Sequence, residues 1–172
     1  MKPTLYIFVG YPGAGKTTIS EVIAEQTGAT HLWADHIRRE RYGKPLYTQS
    51  VNDALYAYLN NKTATLLHSG KSVIFDTNFN YRRDRDLLRK IAADNKAQTV
   101  LVWVNTPRDT AEHRATVAPP NLRHRVHGIM TKEHFNEIAD KLEPPSADEN
   151  AFIIDGTDLD HEKISQALMH GI

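Results

Sequence analysis

At 172 residues the chain is long enough to bury one sizeable core, and its 21 basic against 21 acidic side chains exclude a strongly basic surface for gripping long nucleic acid. The absence of cysteine rules out disulfides and thiolate metal sites and suits a reducing compartment. No apolar run approaches the roughly 20 residues of a membrane span and no signal-peptide pattern is present, so the expectation is a cytoplasmic protein with a single domain over 1–172.

The first predicted strand, "LYIFVG" (5–10), is continuously apolar, as befits a strand covered on both faces. "GYPGAGKTT" (10–18) follows at once and satisfies G-x-x-x-x-G-K-[ST] from Gly10 to Thr17. Gly13 and Gly15 permit a tight turn that aims backbone N–H groups at phosphate oxygens. The expected nucleotide-binding residues are Gly10, Tyr11, Pro12, Gly13, Ala14, Gly15, Lys16, Thr17 and Thr18. Lys16 should reach the β- and γ-phosphates and the Thr17 hydroxyl should ligate Mg²⁺. A helix over 16–27, apolar through Ile19, Val22 and Ile23 and stopped by Gly28, adds its positive N-terminal end.

The second strand, "THLWAD" (30–35), ends in Asp35, which serves either as a helix N-cap or as a group facing a substrate. Arg38 lies one turn further along the same face. A cation in a first helical turn opposes the helix dipole, so Arg38 either pairs with Asp35 or meets an anionic substrate. "SVND" (50–53) reads as a capping box opening a helix to about Leu67, with Val51, Leu55, Tyr58, Leu59 and Leu66 as its buried stripe.

"KSVIFD" (71–76) is the third strand, and Asp76 has the place of a carboxylate that holds Mg²⁺ through a water. In "TNFN", Asn78 and Asn80 either shape a turn or contact substrate, ahead of a helix over 81–93 with Leu87, Leu88 and Ile91 inward. The fourth strand, "TVLVWVN" (99–105), leads to Thr106 as an N-cap and Pro107 at a first helical position. That helix carries Arg114 and breaks at "VAPPN" before the basic run "LRHRVHG", with Arg123, His124, Arg125 and His127. This run is either a solvated basic turn or part of a lid over about 114–130 that closes on phosphates. Thr131 caps a further helix stopped by Pro144-Pro145, "AFIID" (151–155) is the fifth strand, and "TDLD" (157–160) opens the last helix.

Strands alternating with helices predict an α/β fold of the P-loop NTPase type, a five-stranded parallel sheet flanked by helices with a short lid. Ligands of such sheets gather at the carboxyl ends of the strands, where Gly10, Asp35, Asp76 and Asn105 fall. A guanine-reading N-K-x-D after the fourth strand is missing, and the chain is short for a ring-forming motor.

Taken together, "GYPGAGKTT", "ADHIRR", "FDTNFNYRRDR", the lid arginines and "KLEPP" (141–145) resemble P-loop kinases related to the polynucleotide 5′-hydroxyl kinase of bacteriophage, within the broad group of AAA-type ATP-binding proteins. The resemblance spans nearly the whole chain and implies ATP and Mg²⁺ as cofactors. It implies that Asp35 orients and deprotonates an acceptor hydroxyl and that Arg38 contacts an acceptor phosphate. One or more of Arg114, Arg123 and Arg125 would meet the transferring group, and "DGTD" (155–158), with Gly156 and Thr157, would lie where adenine is held. The reading is an ATP-dependent kinase acting on a hydroxyl, first a nucleic-acid 5′ end or a nucleotide-like molecule and otherwise a small hydroxyl compound. The alternative is an ATP-binding regulatory module that hydrolyses slowly without an acceptor.

Overall fold

The computed structural model describes residues 2–43, 47–117 and 129–171. Strands β1 (Thr4–Val9), β2 (Thr30–Trp33), β3 (Val73–Asp76), β4 (Gln98–Asn105) and β5 (Phe152–Asp155) form one sheet in the order β2-β3-β1-β4-β5. Every pairing is parallel. Helices α1 (Lys16–Thr27), α2 (Ala34–Tyr42), α3 (Gln49–His68), α4 (Arg82–Asp94), α5 (Arg108–Thr116), α6 (Lys132–Ala139) and α7 (His161–Gly171) connect and cover the strands. This is the expected α/β architecture. No helix among the described residues is long and apolar enough to cross a membrane.

The central strand shows why both faces must be covered. Leu5, Ile7 and Val9 point into a core completed by Leu55, Leu59 and Leu67 of α3 and Leu88 and Ala92 of α4. Tyr6 and Phe8 point the other way, against Ile19, Val22 and Ile23 of α1 and Ile164 and Leu168 of α7. Each fully buried Leu, Ile or Phe contributes about 1.5–3 kcal/mol, so β1 alone anchors both layers. A third, smaller cluster of Ala111, Ala115, Phe135 and Ala139 joins α5 to α6.

Several element ends differ from the sequence reading. Thr48, not Ser50, caps α3, its hydroxyl accepting from Val51 N at 3.4 Å. The fully buried face of α3 is Leu55, Leu59, Thr63 and Leu67, while Val51, Tyr58 and Leu66 are half-buried beside it. On α4 the inward face is Arg85, Leu88 and Ala92, which turns Leu87 out to solvent. Helix α5 starts only at Arg108, with Pro107 rather than Thr106 at the cap position, and the Thr106 hydroxyl donates to Ala14 O. The last helix is capped by Asp160, whose carboxylate accepts from Glu162 N and Lys163 N at 3.0 and 3.1 Å. Thr131 does cap α6, which ends at Ala139, ahead of Pro144. Helix α1 stops as expected at Gly28, in the left-handed region at φ +66°.

One long-range ion pair ties α4 to the chain before β5. Arg85, fully buried, meets Glu149 of a short 3-10 turn (Ala147–Glu149) through two bonds of 2.8 and 2.6 Å. Arg89 adds a third contact to the same carboxylate at 2.9 Å. Arg85 holds the Glu149 carboxyl down at about 2, against 4.5 in an unfolded chain. A depressed carboxyl stabilises the fold fully above its unfolded value, and that contribution fades as pH falls toward the folded value. Glu149→Gln should therefore lower the unfolding free energy by about 3 kcal/mol at pH 7. In denaturant titrations at stepped pH, the gap to wild type should close between 4.5 and about 2.

Candidate active site

Three glycines with positive φ shape the loop after β1, at +151° (Gly10), +79° (Gly13) and +108° (Gly15). Close approach excludes a side chain as well. A Cβ on Gly13 would lie 2.4 Å from Ala111 O, and one on Gly15 would lie 2.5 Å from the Leu159 side chain. Ala14 N closes the turn on Tyr11 O at 3.0 Å. Gly15 caps α1 with no side-chain bond to the helix, so the positive end of α1 faces the loop.

Neighbouring strands brace this loop from outside. The Thr106 hydroxyl, just past β4, donates to Ala14 O at 2.9 Å. Gly156, just past β5, packs where a Cβ would lie 2.0 Å from Thr106 Oγ1 and 2.5 Å from Ala14 O. Arg114 on α5 reaches the same place, donating to Gly156 O at 2.5 Å and Thr157 O at 2.7 Å. The structure thus joins Arg114, Gly156 and Thr157, with the arginine bonded to the turn after β5. Arg123 and Arg125 lie outside the described residues, as does most of the segment read as a lid. At its base, Met130 N donates to Ala115 O at 3.1 Å, so the chain returns beside the point where it left.

Lys16 is buried, and its ammonium donates to Gly10 O at 2.9 Å and Tyr11 O at 2.7 Å. Burial lowers its pKa to about 8, while the charges of Asp76 and Asp35 pull the other way. Both carboxylates therefore lie within electrostatic reach of the ammonium. Asp76, at the end of β3, is buried and lies 3.1 Å from His31 Nε2. Thr17 follows Lys16 in the first turn of α1. A hydroxyl and a buried carboxylate are hard oxygen donors, which suits a cation such as Mg²⁺ that keeps several waters and phosphate ligands.

Asp35 lies on α2, which already begins at Ala34 with Trp33 at the cap position, so Asp35 is a first-turn residue rather than the N-cap. Asp35 is exposed, and its charge acts on Lys16, Tyr47 and Tyr56. Arg38 is buried in the second turn, out of reach of the dipole penalty, with its guanidinium 4.6 Å over the Tyr47 ring. The Tyr47 phenol is pushed up to about 12 by burial and then by Asp35, with Arg38 opposing. Tyr56 is raised by burial too, and its OH meets Thr77 Oγ1 at 2.9 Å. Both phenols stay protonated, and the charges of Asp35 and Arg38 act on each of them, with Asp84 acting on Tyr56 as well. Tyr47 also meets the His134 ring of α6 at 6.5 Å. Tyr56 had one legible signal, a polar-tipped ring beside the Leu55–Leu59 stripe. Tyr47 and Thr106 had none.

Nucleotide binding should be linked to a proton. Phosphates beside Lys16 favour its charged form, so binding near pH 8 takes a proton up. Titration calorimetry in buffers of different ionisation heat should show that uptake. Affinity should fall up to about tenfold per pH unit above that value, and Lys16→Met should remove the pH dependence.

The family described as AAA domain matches residues 5–145. Three mycobacterial proteins, one from Mycobacterium bovis and two from strains of Mycobacterium tuberculosis, all described as uncharacterised, are 33% identical over 103 residues. That stretch is 53% of this chain and 21% of theirs, so the chain matches about a fifth of these curated relatives. Among solved structures, a putative kinase from Chloroflexus aurantiacus superposes with a TM-score of 0.72 at 20% identity, covering all of both chains. The Mycobacterium tuberculosis APS kinase CysC in complex with AMPPNP and APS gives 0.67 at 16%, over 98% of this chain and 96% of that one. A chain of the Pnkp1/Rnl/Hen1 RNA repair complex gives 0.66 at 20%, over 81% and 44%. At these identities the likeness shows the fold alone, an α/β P-loop NTPase fold, and does not confirm the kinship with the phage enzymes. The glycine loop, its buried lysine and a match over most of the chain agree: this chain belongs to the AAA domain family.

Proposed function

We propose that the protein is an ATP-dependent kinase that transfers the γ-phosphoryl group to a hydroxyl. The observation that carries this reading is the place of Asp35: a carboxylate on α2 within electrostatic reach of the P-loop lysine, beside a buried arginine. A module that only binds or hydrolyses ATP has no use for a carboxylate directed at an acceptor.

In this reading the N–H groups of residues 10–18 and the end of α1 cradle the phosphates, and Lys16 leaves the carbonyls of Gly10 and Tyr11 for them. Thr17 and Asp76 would hold Mg²⁺, which neutralises phosphate charge when bound. Asp35 accepts the proton of the acceptor hydroxyl as its oxygen forms a bond to the γ-phosphorus. The bond from that phosphorus to the β–γ bridging oxygen breaks, and ADP leaves. Most of the rate comes from alignment and charge neutralisation. Arg114 braces the turn after β5 on the nucleotide side, and Arg123 and Arg125 belong to a lid over 114–130 that excludes water. Residues 1–172 act as one such domain, in a cytoplasm that supplies ATP and Mg²⁺.

Arg38 favours an acceptor with an anionic group beside its hydroxyl, a nucleic-acid 5′ end or a nucleotide-like molecule. A small hydroxyl compound is the second candidate. The test is label transfer from γ-labelled ATP with Mg²⁺ to 5′-hydroxyl RNA and DNA oligonucleotides, nucleosides, nucleotides and sugars, against a control without acceptor. Asp35→Ala should cut transfer at least about 100-fold while ATP affinity stays within about twofold. Label appearing only as free phosphate, at a rate that no acceptor and no Asp35 substitution changes, would replace the kinase by a slow ATP-hydrolysing module.

A further inference from the structure

The loop 77–81 carries the chain from Asp76, at the end of β3, to α4, and groups from distant parts of the sequence hold most of it. Thr77 meets the Tyr56 hydroxyl at 2.9 Å. The carbonyls of Phe79 and Asn80 both accept from Arg85 Nη1, at 3.1 and 3.2 Å. Asn80 also donates to Ile138 O at 3.1 Å and accepts from Glu143 N at 2.8 Å. The other edge of the Arg85 guanidinium is clamped by Glu149 through Nε and Nη2. Glu149 is fixed in turn by Ser146 N at 3.2 Å and by Arg89.

We propose that Arg85, clamped by Glu149, is a positioning residue that sets the loop 77–81 and through it the acceptor wall of the active site. The second half of this inference rests on the kinase reading above. A guanidinium is planar and rigid, with donors at fixed angles. It grips two consecutive carbonyls on one side and a carboxylate on the other, so the loop's place is referred to a residue 64 positions away. With Arg85 fully buried, no water can stand in for its N–H groups. A lysine keeps the charge but offers its donors from a single nitrogen.

The loop so held starts at Thr77, directly after Asp76, and carries the hydroxyl paired with Tyr56 at 2.9 Å, a phenol on which the Asp35 charge also acts. Hydroxyl transfer needs the acceptor oxygen in line with phosphorus, and a misplacement of about 1 Å costs on the order of 100-fold. A buried ion pair also brings less net stability than its contacts suggest, because two charges must leave water. Its use here is geometric.

The experiment compares wild type with R85K and with R85M/E149M, the latter replacing the pair by apolar side chains should R85K fold poorly. Amide hydrogen exchange is followed over residues 77–81 and over 10–18. The proposal expects exchange in the loop to quicken at least about tenfold, with the P-loop unchanged. With γ-labelled ATP and the acceptor that the wild type labels among oligonucleotides, nucleosides and sugars, kcat/KM for that acceptor should fall about 100-fold. The Kd for ATP should stay within about twofold. Unchanged loop exchange in both variants overturns the proposal, and so does wild-type transfer from a protein whose loop has loosened. If the wild type labels no acceptor, the kinase reading fails on its own, and exchange still decides whether Arg85 sets the loop.

Discussion

Ala14 O accepts the Thr106 hydroxyl in a space that also admits Gly156 only because that residue has no side chain. The P-loop is thereby wedged between the ends of β4 and β5, with Ala111 O against Gly13 and Leu159 against Gly15. Much of the site follows from this close approach. A loop that bends through three positive-φ glycines is inherently soft, since glycine has the most conformational freedom to lose on folding. Packing on both sides turns it into a fixed cradle. Because all five strands run parallel, the same packing brings Asp76, Thr106 and the turn after β5 to one edge of the sheet.

That edge concentrates charge in a confined volume. Lys16 spends its donors on two carbonyls of its own loop and remains a partly destabilised cation. A group in that condition gains more from a phosphate than an exposed lysine would, since its desolvation has already been met by folding. Tyr47 and Tyr56 hold their protons and feel the charges of both Asp35 and Arg38.

The two halves of the cleft are built differently. The phosphate side is local: a strand, a turn and the start of a helix within about one run of sequence, trimmed by contacts from β4 and β5. The cluster around Asp35 is assembled from α2, α3, α6 and the loop after β3, through Arg38 on Tyr47, Tyr56 on Thr77 and Tyr47 on His134. Each of these contacts joins side chains that the chain must first fold to bring together.

What the sequence determined alone was whatever depends on near neighbours. A continuous apolar run followed by glycines, lysine and threonine specifies a strand, a phosphate turn and a helix start, because backbone freedom and period are local properties. The parallel sheet followed from alternation of strand and helix, and Asp76 does end β3, whereas β2 stops at Trp33 and Asp35 falls in the first turn of α2 rather than at a strand end. The inward turn of α4 around Arg85 was hidden, since an arginine reads as surface until a carboxylate 64 residues away neutralises it. Thr106 read as a cap because its sequence neighbours permit one, yet Pro107 takes that position and the Thr106 hydroxyl donates to Ala14 O, 92 residues distant. Tyr47 carries no local mark of function, and Thr77 was legible only as part of "TNFN". Their contacts arise from charges and rings brought near by chain reversal, and only the tertiary structure decides which distant groups meet.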